Sequence, residues 1–282
     1  MNWKLSRISI PVFDLEKSKN FYNFLLNDKT SNNENLDTDE ECFVFGGDIE
    51  LRLYKLKNEL GKDNILQSRR TFPTIALNEL DLITKDLDKN NINYSFNKSR
   101  HSIMLQEPGL NYIELVEKDQ TTQLPQKDFN YIWNFHHINL ECYDVRLSVN
   151  FLNKNFNMTE GKWLAPPELG DVNINPNQLA IFNLDNNHSG IHINKADFLF
   201  SWRNKFIHNP TIGGHPAFNI KDINQFLIKL EKLEIPFTDA KVYAMPDIHQ
   251  VYLFDPNANI ICLLYTSPSP RDDATSRMPS SA

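Results

Sequence analysis

At 282 residues with a net charge of −7, the chain lacks the basic face that an obligate nucleic-acid partner requires. No apolar run approaches the ~20 residues that cross a bilayer, and Met1-Asn-Trp-Lys-Leu5 has no signal-peptide core, so neither a membrane nor export is expected. A composition of 40% hydrophobic and 23% charged residues fits a soluble globular protein with room for two domains. Cys42 and Cys142 fall inside expected strands, which points to reduced thiols and a cytoplasmic location rather than a disulfide framework.

The predicted elements repeat along the chain. An alternating strand, Arg7-Ile-Ser-Ile-Pro-Val-Phe-Asp14, runs into a helix over 15–26 carrying Phe21, Phe24 and Leu25. A second strand, Phe72-Pro-Thr-Ile-Ala-Leu-Asn-Glu79, leads to a helix with Leu82, Ile83 and Leu87. A third, His137-Ile-Asn-Leu-Glu-Cys-Tyr-Asp144, precedes Val149, Phe151 and Leu152. The fourth, His215-Pro-Ala-Phe-Asn-Ile-Lys-Asp222, precedes Phe226, Leu227, Leu230 and Leu233. Each closes on an acidic residue, which suits a helix start because a carboxylate accepts from free N–H groups at the positive dipole end. Short strands follow each helix, as at Glu50–Tyr54, Asn111–Leu115 and Gln250–Phe254, so each copy reads β-α-β-β-β. Units one and two fill 1–117, a polar stretch at 118–130 reads as a linker, and units three and four fill 131–261. The class is α+β.

Three segments carry a resemblance. Ile8-Ser-Ile-Pro-Val-Phe-Asp-Leu-Glu-Lys-Ser-Lys-Asn-Phe-Tyr22, Gly214-His-Pro-Ala-Phe-Asn-Ile-Lys-Asp-Ile223 and Tyr252-Leu-Phe-Asp-Pro-Asn-Ala-Asn-Ile-Ile261 resemble the vicinal oxygen chelate superfamily. That superfamily includes glyoxalase I, extradiol ring-cleaving dioxygenases, fosfomycin-resistance enzymes and bleomycin-binding proteins. The likeness covers 5–261 and implies four βαβββ modules paired into two domains, each a mixed sheet curled around a cleft. It speaks for the fold, while the reaction must be argued from the site.

The resemblance also implies a metal held by the first strand of each unit and the last strand of the second. His137 and His215 each lie seven residues before their acidic helix-start residue, so they are equivalent in copies three and four. The third ligand belongs after Asn259-Ile-Ile261, where a glutamate is expected and Cys262 stands; copy two has Glu114 at the matching place. From Cys262 to Asp272 the chain resembles the translation of a transposase-type sequencing adapter. Asp273-Ala-Thr275 then reads as a sample index, and Ser276 to Ala282 as the flow-cell sequence beyond it. On that reading 262–282 is not natural sequence, and a Ser/Pro-rich disordered tail is the alternative. Two imidazoles and a carboxylate leave open positions for a bidentate oxygen substrate or O₂ on Fe(II) or Mn(II). Cys262 as thiolate would suit a soft metal instead. The alternative for His137 and His215 is a pair of core residues satisfied by backbone groups. In the first half Arg7 and Phe72 occupy the histidine positions, so that half reads as a metal-free structural partner, with Glu114 on the surface or in a salt bridge.

Tyr252 lies ten positions before 262, where the resemblance places a tyrosine that hydrogen-bonds substrate oxygen; packing is the alternative. The resemblance implies an acid–base histidine at His188, in the turn before the strand, or at His192 on it, a role suited to a pKa near neutrality. A surface or ladder residue is the alternative for each. His249 completes the catalytic set, although Tyr243 stands where the ring-cleaving signature has a histidine, and Ala258 replaces a glycine. His136 should face away from His137 on a strand. The aromatic insertion 197–213 reads as a lid. The implied activity is extradiol-dioxygenase-like, on a small substrate with adjacent oxygens. The alternatives are a glyoxalase-type lyase or isomerase and a metal-free small-molecule binding protein. A homo-oligomer is left open.

Overall fold

The computed structural model describes residues 3–26, 38, 41–44, 49–56, 68–98, 100–118, 133–164, 175–184, 188–220 and 223–266. Most of the expected linker, Asp222, and the tail beyond 266 lie outside them. The first half contains β1 (Trp3–Val12), α1 (Leu15–Leu25), β2 (Glu41–Val44), β3 (Glu50–Lys55) and β4 (Phe72–Leu77). It continues with α2 (Leu80–Lys89), β5 (Tyr94–Asn97), β6 (Ser102–Gln106) and β7 (Tyr112–Glu117). The second half contains β8 (Asn134–Cys142), α3 (Val145–Phe156), β9 (Leu179–Asn183), β10 (Gly190–Lys195) and α4 (Phe200–Asn204). It ends with β11 (His215–Asn219), α5 (Ile223–Lys232), β12 (Phe237–Val242), β13 (Ile248–Phe254) and β14 (Ile260–Thr266). Among the described residues, units two and four follow the helix with three strands, and units one and three with two.

Each half is one open seven-stranded mixed sheet, ordered β2-β3-β1-β4-β7-β6-β5 and β12-β13-β14-β11-β8-β10-β9. The two orders are related by the repeat: the first strands of the paired units, β1 with β4 and β8 with β11, run antiparallel at the centre. Parallel strands flank them, β3 and β7 in one half, β10 and β14 in the other. Strand alternation sends Ile8, Ile10, Ile138 and Leu140 into one apolar core that takes in both halves. Fully burying such a side chain stabilises by about 1.5–3 kcal/mol. Among the described residues no helix is long and apolar enough to cross a membrane.

Helix starts follow the acidic pattern in part. Asp14 accepts from Lys17 N at 3.0 Å, and Asp144 accepts from Arg146 N and Leu147 N at 2.9 and 3.2 Å. Glu79 corrects the pattern: it sits in the left-handed region (φ 60°) and its side chain caps nothing. The parallel pairing of Leu77 with Glu117 brings the Glu117 carboxylate there instead, accepting from Glu79 N and Leu80 N at 2.9 and 2.8 Å.

The halves are tied by two equivalent turns. Between β13 and β14, Asp255 Oδ1 accepts from Asn257 N and Asn259 N, both at 2.8 Å. Its Oδ2 accepts from the buried Tyr22 hydroxyl of α1 at 2.9 Å. Asn259 Nδ2 donates to Pro11 O at 2.9 Å, and Asn257 Nδ2 donates to Ser18 Oγ at 2.9 Å. Between β6 and β7, Glu107 accepts from Gly109 N and Asn111 N at 2.7 and 3.0 Å, and Asn111 Nδ2 reaches Glu141 O of β8 at 2.8 Å. Each half therefore grips the turn of the other. Both turns close on a non-glycine residue in the left-handed region, Leu110 (φ 70°) and Ala258 (φ 63°). Ala258→Gly removes the Cβ strain there and should raise the unfolding free energy by about 1 kcal/mol in urea melts.

Candidate metal centre

The register places one row of inner-face positions in each half. In the second half His137 lies opposite Ala217, Ala217 opposite Cys262, and Cys262 opposite Tyr252. His215, two residues before Ala217, shares that face, as does His192, two residues after Gly190, the β10 partner of His137. Gly214 (φ 70°) immediately precedes β11; a Cβ there would lie 2.7 Å from Asn139 O, so the chain enters against β8 only with glycine.

The imidazoles gather. His137 stacks on His192 with centroids 3.9 Å apart, and His215 meets His137 edge-on at 5.8 Å and Tyr252 at 5.5 Å. Burial, then the neighbouring imidazoles, push His137 well below the usual histidine range. Burial does the same to His192 and takes His215 to about 4. All three rings are neutral near pH 7, the form that ligates metal. The buried Nδ1 of His215 meets no hydrogen-bond partner among the described residues. A buried imidazole with one bare nitrogen fits a metal ligand.

Position 262 does not fit. Burial pushes the Cys262 thiol far up, so it stays protonated, and among the described residues no three His, Cys, Asp or Glu groups come together to hold a metal. The Tyr252 hydroxyl donates to Gln250 Oε1 at 2.8 Å. His188 (φ 62°) accepts at Nε2 from Leu164 N at 2.9 Å, and its carbonyl meets His192 Nε2 at 2.7 Å, so it supports the cluster's edge. His249 does not join the others: alternation along β13 turns it from the Gln250–Tyr252 face, and it pairs with Asp239 on β12. His136 does not face away as expected, since its Nδ1 lies 2.8 Å from His137 Nδ1. A register shift between Ala217 and Phe218 leaves His136 unmatched, as in a bulge, and cancels the alternation. Sequence reasoning missed Gln250 and Trp163, whose ring lies 5.0 Å from His192. Period-two spacing from Tyr252 could have found the first; nothing pointed to the second.

The first half carries the same row with different contents: Arg7 opposite Thr74, Thr74 opposite Glu114, Glu114 opposite Met104. Glu114 is buried rather than on the surface. Its carboxylate accepts from Thr74 Oγ1 at 2.7 Å and Ser102 Oγ at 2.9 Å, with Arg7 at 3.3 Å and Arg52 at 3.6 Å. Arg7 also pairs with Glu50 at 2.6 Å. Two guanidinium groups supply positive charge beside the carboxylate, and Arg7 and Thr74 stand on this row where the second half has His137 and Ala217.

No protein family matches the sequence by profile, and no curated protein matches it. Solved structures do. The chain is similar to a Mn(II)-bound glyoxalase from Novosphingobium aromaticivorans (10% identity, TM-score 0.62, covering 94% of this chain and 82% of that one). It is similar to the 2,3-dioxygenase LapB from Pseudomonas sp. KL28 (12% identity, TM-score 0.60, 95% and 94%). A variant of homoprotocatechuate 2,3-dioxygenase from B. fuscum also matches (14% identity, TM-score 0.60, 95% and 73%). These likenesses, at 10–14% identity, establish the fold alone: two curled mixed sheets arranged as in those structures.

The Glu114 network predicts a pH dependence. Burial works to raise this pKa, and Arg52 and Arg7 with the two hydroxyls overcome it, holding the carboxyl at about 2 against an ordinary 4.5. A depressed carboxyl contributes stability that is full above its unfolded pKa and lost as pH falls through the folded one. Glu114→Gln should cost about 3 kcal/mol at pH 7. The gap from wild type should close between about pH 4.5 and 2 in urea melts at stepped pH.

Proposed function

We propose that the second half is a divalent-metal enzyme of extradiol-dioxygenase type, acting on a small substrate with adjacent oxygens, when residue 262 is a carboxylate. The observation that carries this reading is the shared row: His137, position 262 and Tyr252 in register, His215 on the same face with a bare buried nitrogen. Glu114, at the matching place in the first half, supports a glutamate at this position of the row. His137, His215 and a glutamate at 262 would hold Fe(II) or Mn(II), which supplies a Lewis acid and a template for the two oxygens.

The remaining groups bind and orient the substrate. Gln250 holds the Tyr252 hydroxyl, leaving the phenol oxygen to receive a hydrogen bond from substrate. Burial keeps His192 neutral and disfavours its protonation, so against the expected near-neutral acid–base role its ring serves as a hydrogen-bonding group toward substrate, while His188 anchors it through the backbone carbonyl. Trp163 and Phe206 pack beside this face and exclude water from it. Ring cleavage is favoured over a glyoxalase-type reaction by the asymmetry of the halves, one filled by ion pairs and one lined by imidazoles. The working context is the cytoplasm, with a small molecule as partner and neither nucleic acid nor membrane. A metal-free binding protein is the second reading, favoured by the stacking of His137 on His192 and by the lack of a three-donor group among the described residues.

The two readings separate on metal content. Cys262→Glu, reconstituted anaerobically with Fe(II), should bind about one metal per protomer and lose it on His137→Ala. No metal in the Cys262→Glu protein would sink the enzyme and leave the binding protein as the better account.

A further inference from the structure

One donor on the second-half row has nothing to donate to. Gln250 lies two residues before Tyr252 on β13, so alternation sets both side chains on one face, opposite Leu264 and Cys262 of β14. The residue is 2% exposed. Its Oε1 accepts from the Tyr252 hydroxyl at 2.8 Å, while its buried Nε2 has no hydrogen-bond partner among the described residues. Burial drives the Tyr252 phenol well above the usual tyrosine range, so it keeps its proton. The amide therefore turns its oxygen to the phenol and its two N–H groups away. Leaving a buried donor unpaired costs more than making an ordinary hydrogen bond gains, so such groups are rare and mark a place for an outside acceptor.

The surroundings narrow the kind of acceptor. Leu264 and Tyr252 belong to one apolar cluster with Met245 and Ile248, and Phe206 and Trp163 pack against it. None of these side chains carries a charge. A carboxylate placed against them would need a cation, and the amide supplies neutral donors only. A carbonyl needs no more than the hydrogen bond. The amide spans the step between the phenol oxygen and its own free N–H groups, so the acceptor lies one amide's width from the oxygen that Tyr252 would meet. Both then belong to one small molecule.

We propose that Gln250 is a specificity-determining residue, whose Nε2 donates to a neutral carbonyl carried by the substrate beside its adjacent oxygens, as in an acyl-substituted aromatic diol. The role of those adjacent oxygens rests on the metal-enzyme reading; the carbonyl contact does not.

Anaerobic calorimetry separates the two, using the metal-free chain and the Cys262→Glu protein supplied with Mn(II). The ligands are 2,3- and 3,4-dihydroxyacetophenone and the matching ethylcatechols, in which CH₂ replaces the carbonyl. One acetyl isomer should bind about 10-fold tighter than its ethyl partner. Gln250→Met keeps the length without the amide and should bring that ratio within about twofold of unity. Tyr252→Phe retains the donors and should preserve the ratio, whatever it does to the two affinities. In the wild-type chain the Gln250 side-chain amide, assigned through the backbone, should shift in ¹H–¹⁵N spectra with the acetyl ligand and not with the ethyl one. That measurement holds the test even where Gln250→Met fails to fold. Equal affinities within both pairs, no binding of any of the four, or a ratio unchanged in Gln250→Met would overturn the proposal. So would an amide that contacts water only while the acetyl ligand is bound. Mn(II) bound with no acetyl preference would overturn the role of Gln250 and leave the metal reading standing. An acetyl preference lost in Gln250→Met, with no Mn(II) bound to the Cys262→Glu protein, would uphold Gln250 and sink the metal reading.

Discussion

A bulged antiparallel pairing at the centre of each sheet is the constraint from which the rest follows. It sets β1 against β4 and β8 against β11, each with a register shift near the start of the row. Parallel pairing then carries the row into β7 and β14. The scaffold thereby presents the same inner-face positions twice, and chemistry depends on what fills them. In the first half they hold a carboxylate between guanidinium groups; in the second, neutral imidazoles beside a neutral thiol. A buried carboxylate must find positive charge, because an unpaired charge in the interior costs several kcal/mol. Arg7 and Arg52 meet that need at Glu114. With Cys262 the second half has no buried negative charge on its row, and hence nothing that calls for a hard dication.

The turns couple the halves to that row. Asp255 to Asn259 joins the strand of Tyr252 to the strand of residue 262, and the first half holds it through Tyr22, Ser18 and Pro11. Burial and the Asp255 carboxylate drive the Tyr22 hydroxyl far above the usual tyrosine range, so it remains a donor at any working pH. The first half thus has a structural role in the second: it fixes the hairpin that carries Tyr252 and residue 262.

Much of this was legible in the sequence because period-two alternation and acidic helix starts recur four times. The equivalence of His137 and His215 came from counting back to Asp144 and Asp222, and the structure sets both on one face. What failed was whatever depends on an exception to alternation. His136 turned toward His137 because a bulge adds a residue to one strand, which composition does not announce. Glu79 lost its cap role to Glu117, a residue distant in sequence that only parallel pairing brings near. His249 looked like part of the cluster by proximity in the chain, yet one step along a strand exchanges faces. The hold of Thr238 on Ile207 and His208 was invisible because it acts through backbone N–H groups of another segment.

The central claim is that the second-half row becomes a metal centre once residue 262 is a carboxylate. Electron spin-echo modulation of Mn(II) bound to the Cys262→Glu protein tests it directly by detecting the nitrogens in the coordination sphere. The account predicts coupling to two imidazoles, reduced to one in either His137→Ala or His215→Ala. Bound Mn(II) with no imidazole coupling, or with coupling indifferent to both substitutions, would contradict it.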